Sequence, residues 1–149
     1  MKKYLLFILV FFPSCLKEEN VVYFSKLFLC NNTGRVIEVY KDDLLMDEIK
    51  NGEEVWLYSI RASANYEDNS VEKIMQKQGW KFKDVSIYDV SDGGRRFLKK
   101  WTFTERNEDG KQLYRLSDSE IRVRHERIWG RICIGYIYSF SINPEDVEL

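Results

Sequence analysis

Alternation of apolar and polar side chains constrains this chain more than any other feature of its sequence. In residues 132–142 every second side chain is isoleucine, tyrosine or phenylalanine. Because successive side chains of a strand point to opposite faces, this period of two predicts a β-strand with one buried face. Further segments that favour strands are at 22–30, 35–41, 44–49, 54–60, 80–82, 85–90, 96–103, 112–116 and 121–124.

Turn residues separate these segments and point to the fold class. Asn51-Gly52 is typical of a two-residue hairpin, because both residues tolerate a positive φ. Residues 70–78 have helical spacing, with Ser70 as N-cap and Gly79 as terminator, and predict one short helix. Short strands separated by turns predict an all-β fold, an antiparallel immunoglobulin-like β-sandwich of about seven to nine strands. A small β-barrel is the alternative.

The N-terminus has the order of a secretion signal. Lys2 and Lys3 precede an unbroken apolar run at 4–12, and Ser14 and Cys15 follow it. Nine apolar residues suit the hydrophobic region of a signal peptide but are too short to span a bilayer, which needs about 20. A small residue followed by cysteine resembles the lipobox of bacterial lipoprotein precursors. The resemblance implies that the Cys15 thiol receives a diacylglycerol and that cleavage occurs before it.

The lipobox pattern is imperfect, and other interpretations stay open. Phe12 stands where leucine is common, and Pro13 where alanine or serine is common. An ordinary signal peptidase cut after Ser14 is one rival, although Phe12 is a poor −3 residue for it. A buried N-terminal segment with an incidental cysteine is another. The lipobox interpretation divides the chain into a signal peptide (1–14), a lipidated cysteine with its tether (15–21) and a single β domain (22–149).

Charged residues directly after Cys15 indicate the location to which the protein is exported. Lys17, Glu18 and Glu19 resemble the lipoprotein export signal of Bacteroidota, which implies the outer face of the outer membrane. A plain charged tether on a periplasm-facing protein is the alternative. The Asn-Asn-Thr-Gly turn at 31–34, VSIYDVSDGG at 85–94 and the terminal YSFSINPEDVEL extend the resemblance to small uncharacterised β-sandwich lipoproteins of that phylum. This group implies a lipid anchor and supplies no catalytic residues.

Charge and chemistry exclude several function classes. With 23 Lys+Arg and 24 Asp+Glu, the net charge of −1 lacks the basic excess of a nucleic-acid-binding protein. The only histidine, His125, stands among arginines, and we expect it to be exposed at a strand end or in a loop rather than catalytic. The three cysteines are too far apart for a zinc motif, and the acidic turn at 107–110 lacks the pattern of a calcium loop. The sequence therefore predicts no metal, no cofactor and no catalytic residue.

Two sets of side chains are candidates for binding. One is a basic cluster for an anion or glycan, whose plain alternative is a solvated strand face: Arg122, Arg124, Arg127 and Arg131. The other set is the four tryptophans, which we expect to lie mainly in the core, with stacking on sugars as the alternative: Trp56, Trp80, Trp101 and Trp129.

Cys30 and Cys133 remain if Cys15 is acylated, and they allow two outcomes. They lie in the first and last predicted strands, so that a disulfide is topologically feasible in an exported domain. Free thiols, packed as small apolar groups, are favoured. The predicted function is a non-enzymatic binding or accessory module of the envelope, with a protein or glycan partner. The alternatives are a hydrolase that uses carboxylates and a structural envelope component.

Overall fold

The structure, a computed structural model, describes residues 21–63 and 81–147. Eight β-strands form this part of the chain: β1 (Val21–Asn31), β2 (Ile37–Lys41), β3 (Leu44–Ile49), β4 (Glu54–Ser63), β5 (Asp84–Asp89), β6 (Arg96–Thr102), β7 (Glu120–Ile128) and β8 (Arg131–Ile142). Short 3₁₀ turns lie at Phe103–Glu105, Leu116–Asp118 and Pro144–Asp146. The predicted signal peptide and the predicted helix at 70–78 lie outside the described residues.

The strands form two four-stranded sheets. The first sheet has the order β4-β1-β8-β7, and the second has the order β3-β2-β5-β6. Paired strands are antiparallel, except that β1 and β8 run parallel at the centre of the first sheet. The sheets do not close into a barrel. The predicted all-β sandwich is confirmed, and the barrel alternative is wrong.

The inward faces of the two sheets share one apolar core. Trp101 of β6 meets Phe140 of β8 edge to face, with 5.4 Å between ring centroids. Both side chains are almost fully buried, at 1% and 0% exposure. The Trp101 indole Nε1–H also donates to the Lys111 carbonyl oxygen at 3.2 Å, which satisfies its polar atom inside the core. This contact fixes the second sheet against the first.

The Asn-Asn-Thr-Gly turn closes one end of the sandwich through a buried amide. The Asn31 side chain donates to the carbonyl oxygens of Arg35 at 2.8 Å and Ile49 at 3.0 Å. Its Oδ1 accepts from the backbone N–H and the hydroxyl of Thr33, at 3.0 and 2.7 Å. Asn31 is fully buried. The four hydrogen bonds of its side chain take the place of the backbone pairing that ends at the turn.

The predicted strand at 112–116 is wrong, and Lys81 and Phe82 of the predicted strand at 80–82 are not in a strand. In 112–116 the Gln112 N–H donates to Asp118 Oδ2 at 2.8 Å, and the segment turns with Leu113 buried against the core. In 80–82, Trp80 lies outside the described residues, and Phe82 is buried but not in a strand. The following strand, β5, begins only at Asp84.

The two described cysteines are free thiols at opposite ends of the first sheet. The first and last strands are neighbours, as predicted, but their parallel register pairs Cys133 with Val22 and Cys30 with Ser141. Eight residues of β1 therefore separate the two thiols, about 26 Å along a strand. A disulfide needs Cα atoms within about 7 Å, so this fold does not allow the bridge. Burial, followed by the Glu54 carboxylate, raises the pKa of Cys30 to about 11, which keeps this thiol protonated at neutral pH.

Candidate functional site

The outward face of the first sheet carries a hollow of about 920 Å³, which we call the outer hollow. Val22, Phe24 and Cys133 form its floor, and the β7–β8 hairpin forms one side. Val22 and Cys133 are each only 8% exposed although they face away from the sandwich core. The volume is that of a small-molecule site, and the apolar floor fits the usual composition of one.

A glycine in β8 makes room for the ring on the floor. Gly135 pairs with Phe24 across the parallel β1–β8 register. A Cβ at Gly135 would lie 2.1 Å from Phe24 Cζ, so that any other residue there would displace the ring. A glycine within a strand often marks such a close approach. Gly135 is recognisable in the sequence as a glycine within a predicted strand, but the sequence does not show which ring lies over it.

The rim of the outer hollow is cationic. Lys26, Arg61 and Arg131 are exposed there, and Glu126 is the acid among the charged lining residues. The Lys26 ammonium lies 5.9 Å from the centroid of the Phe24 ring, within reach of its π face. Three cations and one acid around an apolar floor favour a ligand with an anionic group and an apolar or sugar-ring face.

The hairpin tip beside the outer hollow has an unusual residue in its turn. Ile128 pairs with Arg131, which leaves a two-residue turn of Trp129 (φ 52°) and Gly130 (φ 74°). Such turns need left-handed backbone at both positions, which glycine and asparagine adopt readily. A tryptophan in that conformation costs about 1–2 kcal/mol. Its side chain is 96% exposed, so little packing against the domain offsets the strain.

The four arginines of the predicted basic cluster all lie on this hairpin and are exposed. Alternation along the strands places Arg122, Arg124 and Arg131 on the outward face, together with the outer hollow. Arg127 points to the opposite face. The structure thus brings three of the four arginines to one face. Sequence analysis missed two cations of the outer hollow, Lys26 and Arg61, because they come from strands that are distant from the hairpin in sequence.

The predictions for His125 and for the tryptophans are confirmed only in part. His125 is exposed, as predicted, but lies within β7 rather than at a strand end, because β7 continues to Ile128. Trp101 is in the core as predicted, whereas the core prediction is wrong for Trp56 and Trp129, which are 52% and 96% exposed. Trp56 lies on the outward face of β4 opposite Phe28, and Trp129 is in the turn. Trp80 lies outside the described residues.

A second hollow, of about 360 Å³, lies at the end of the sandwich that the Asn31 turn closes. There the Asp89 carboxylate accepts from Arg35 Nη1 at 2.6 Å and Arg96 Nη2 at 3.4 Å, and also from the Ser91 N–H at 3.0 Å. Burial alone would raise the pKa of Asp89, but the hydrogen bonds from Ser91 and Arg35 outweigh it and lower that pKa. These charges satisfy one another, so the cluster is structural.

Two features are absent from residues 21–63 and 81–147. No group of three or more histidine, cysteine, aspartate or glutamate side chains is arranged to hold a metal ion. No helix there has the length and apolar character needed to cross a membrane.

No protein-family profile, no curated protein and no solved structure matches the chain.

Proposed function

We propose that this protein is a lipid-anchored lipoprotein of the outer membrane that acts as a non-enzymatic binding module for anionic envelope glycans. The observation that supports binding most is the outer hollow, with its aromatic floor and cationic rim. Phosphate or carboxylate groups of a glycan would meet Lys26 and Arg61, and a sugar ring would lie against Phe24.

The sequence of the N-terminus supports the anchor. A basic start, an apolar run and Ser14-Cys15 precede the first strand, which begins at Val21. Five residues of the sequence, 16–20, lie between Cys15 and this strand. Two or three acyl chains hold a protein firmly, since each buried methylene contributes about 0.8 kcal/mol. Lys17, Glu18 and Glu19 support display on the cell surface.

Binding is tested with the core oligosaccharide released from lipopolysaccharide by mild acid, titrated into the detergent-solubilised protein. We expect a dissociation constant that rises at least tenfold in Arg61→Glu, because the substitution places an anion on the rim. Lys81→Glu is the matched control, since Lys81 is exposed and does not line the outer hollow. Dephosphorylated oligosaccharide should bind more weakly than the native form. The absence of binding, or equal losses in both variants, would contradict the proposal.

A further inference from the structure

The parallel pairing of β1 and β8 places the β7–β8 hairpin tip beside the start of the domain. Val21 pairs with Ile132, only two residues beyond Gly130 of the turn. The first described residue and Trp129 therefore lie at the same end of the first sheet. The opposite end carries the Asn31 turn and Asn51-Gly52, where Gly52 N–H donates to the Asn31 carbonyl oxygen at 2.6 Å.

Chain length limits how far this end can be from an anchor at Cys15. Val21 lies six positions after Cys15, and even a fully extended chain spans at most about 3.6 Å per residue. The start of β1 thus lies no more than about 22 Å from the acylated cysteine, which itself sits at the headgroup level of the bilayer. This end of the domain must remain near the membrane surface.

The hairpin tip differs in chemistry from the turns at the opposite end of the sandwich. The hairpin tip presents Trp129, Ile128 at 43% exposure, and the exposed Arg131. The opposite end presents the polar turns Asn31-Asn32-Thr33-Gly34 and Ser91-Asp92-Gly93-Gly94. Tryptophan favours the boundary between headgroups and acyl chains, and arginine pairs with lipid phosphates.

We propose that the hairpin tip docks on the bilayer that holds the lipid anchor, with Trp129 in the headgroup region and Arg131 against anionic headgroups. This inference rests on the proposed lipidation of Cys15. It explains why a bulky aromatic side chain occupies a left-handed turn position where it packs little against its own domain.

The test uses the full lipidated protein, reconstituted into vesicles of 70% phosphatidylcholine and 30% phosphatidylglycerol whose acyl chains carry bromine near the carbonyl. Bromine quenches only tryptophans that reach the boundary region. We expect the wild type to be quenched and Trp129→Phe to lose most of that quenching. Trp56→Phe is the matched control, because Trp56 is an exposed tryptophan of the same sheet whose partner Phe28 lies seven residues along β1 from Val21.

A third variant separates docking from a structural role. Asparagine suits the left-handed turn, so that Trp129→Asn should keep or raise the melting temperature while it removes the quenching. A lower melting temperature in this variant would indicate a structural role and overturn the proposal. Equal quenching in the wild type and Trp129→Phe would also overturn it.

The intact mass of each sample shows whether the anchor is present. An acylated wild type without quenching would refute docking alone, whereas a protein without acyl chains would refute the proposed anchoring on which docking depends.

Discussion

Replacing Trp101 by alanine is expected to lower the free energy of unfolding by about 3–5 kcal/mol, the range for truncation of a large buried aromatic side chain. Trp101 is 1% exposed and contacts Phe140 of the facing sheet, so that its loss leaves a cavity at the centre of the sandwich. It also leaves the part-buried Lys111 carbonyl oxygen without the indole donor. Urea unfolding followed by near-ultraviolet circular dichroism measures the effect.

Two further variants make this prediction specific. Trp101→Phe retains most of the ring volume and should fall between the wild type and Trp101→Ala. Trp56→Ala removes the same side chain from a position that is 52% exposed, and should cost less than about 1 kcal/mol. Similar costs for Trp101→Ala and Trp56→Ala would contradict the assignment of Trp101 to the shared core.

Replacing Asp89 by asparagine is expected to cost about 2–3 kcal/mol at pH 7. The substitution keeps the shape of the side chain but removes the charge that Arg35 and Arg96 share. Breaking a buried ion pair costs about 3–5 kcal/mol, and the partial exposure of both arginines reduces that figure. Asp92→Asn is the matched control, since this carboxylate is 92% exposed and 3.9 Å from Arg35, and it should cost less than about 0.5 kcal/mol.

The effect of Asp89→Asn should depend on pH in one direction. Because the pKa of Asp89 is lowered by folding, its carboxylate stabilises the native state fully above the unfolded-state pKa of about 3.9. That contribution disappears as pH falls through the lower, folded-state pKa. The difference in unfolding free energy between the wild type and Asp89→Asn should therefore be constant near neutral pH and shrink in acid. A difference that stays constant down to pH 2 would contradict the role assigned to this charge.

Strand positions could be predicted from the sequence because alternation is a local property. Residues 132–142 gave a correct strand for this reason. The hairpin predicted at Asn51-Gly52 is wrong: a turn is present, but the strands that flank it, β3 and β4, lie in different sheets, and Gly52 has a positive φ whereas Asn51 does not. The parallel direction of β1 and β8 could not be predicted, since the same alternation fits either direction of pairing. The parallel direction places Cys30 far from Cys133, and it places the hairpin tip beside Val21.

The outer hollow could not be predicted from the sequence for a related reason. Its rim joins Lys26, Arg61 and Arg131 from three strands, and only the sheet order brings them together. The arginines of the hairpin were recognisable as a cluster because they are close in sequence. The segment 112–116 was assigned wrongly because its apolar residues are buried through a local turn fixed by Asp118, which period-two spacing does not distinguish from a short strand.

The measurement that tests the lipoprotein proposal most directly is labelling of growing cells with radioactive palmitate, followed by isolation of the protein. We predict label in the wild type, on a chain whose first residue is Cys15, and no label in Cys15→Ala. Label in Cys15→Ala, or an unlabelled wild type that begins at another residue, would contradict it.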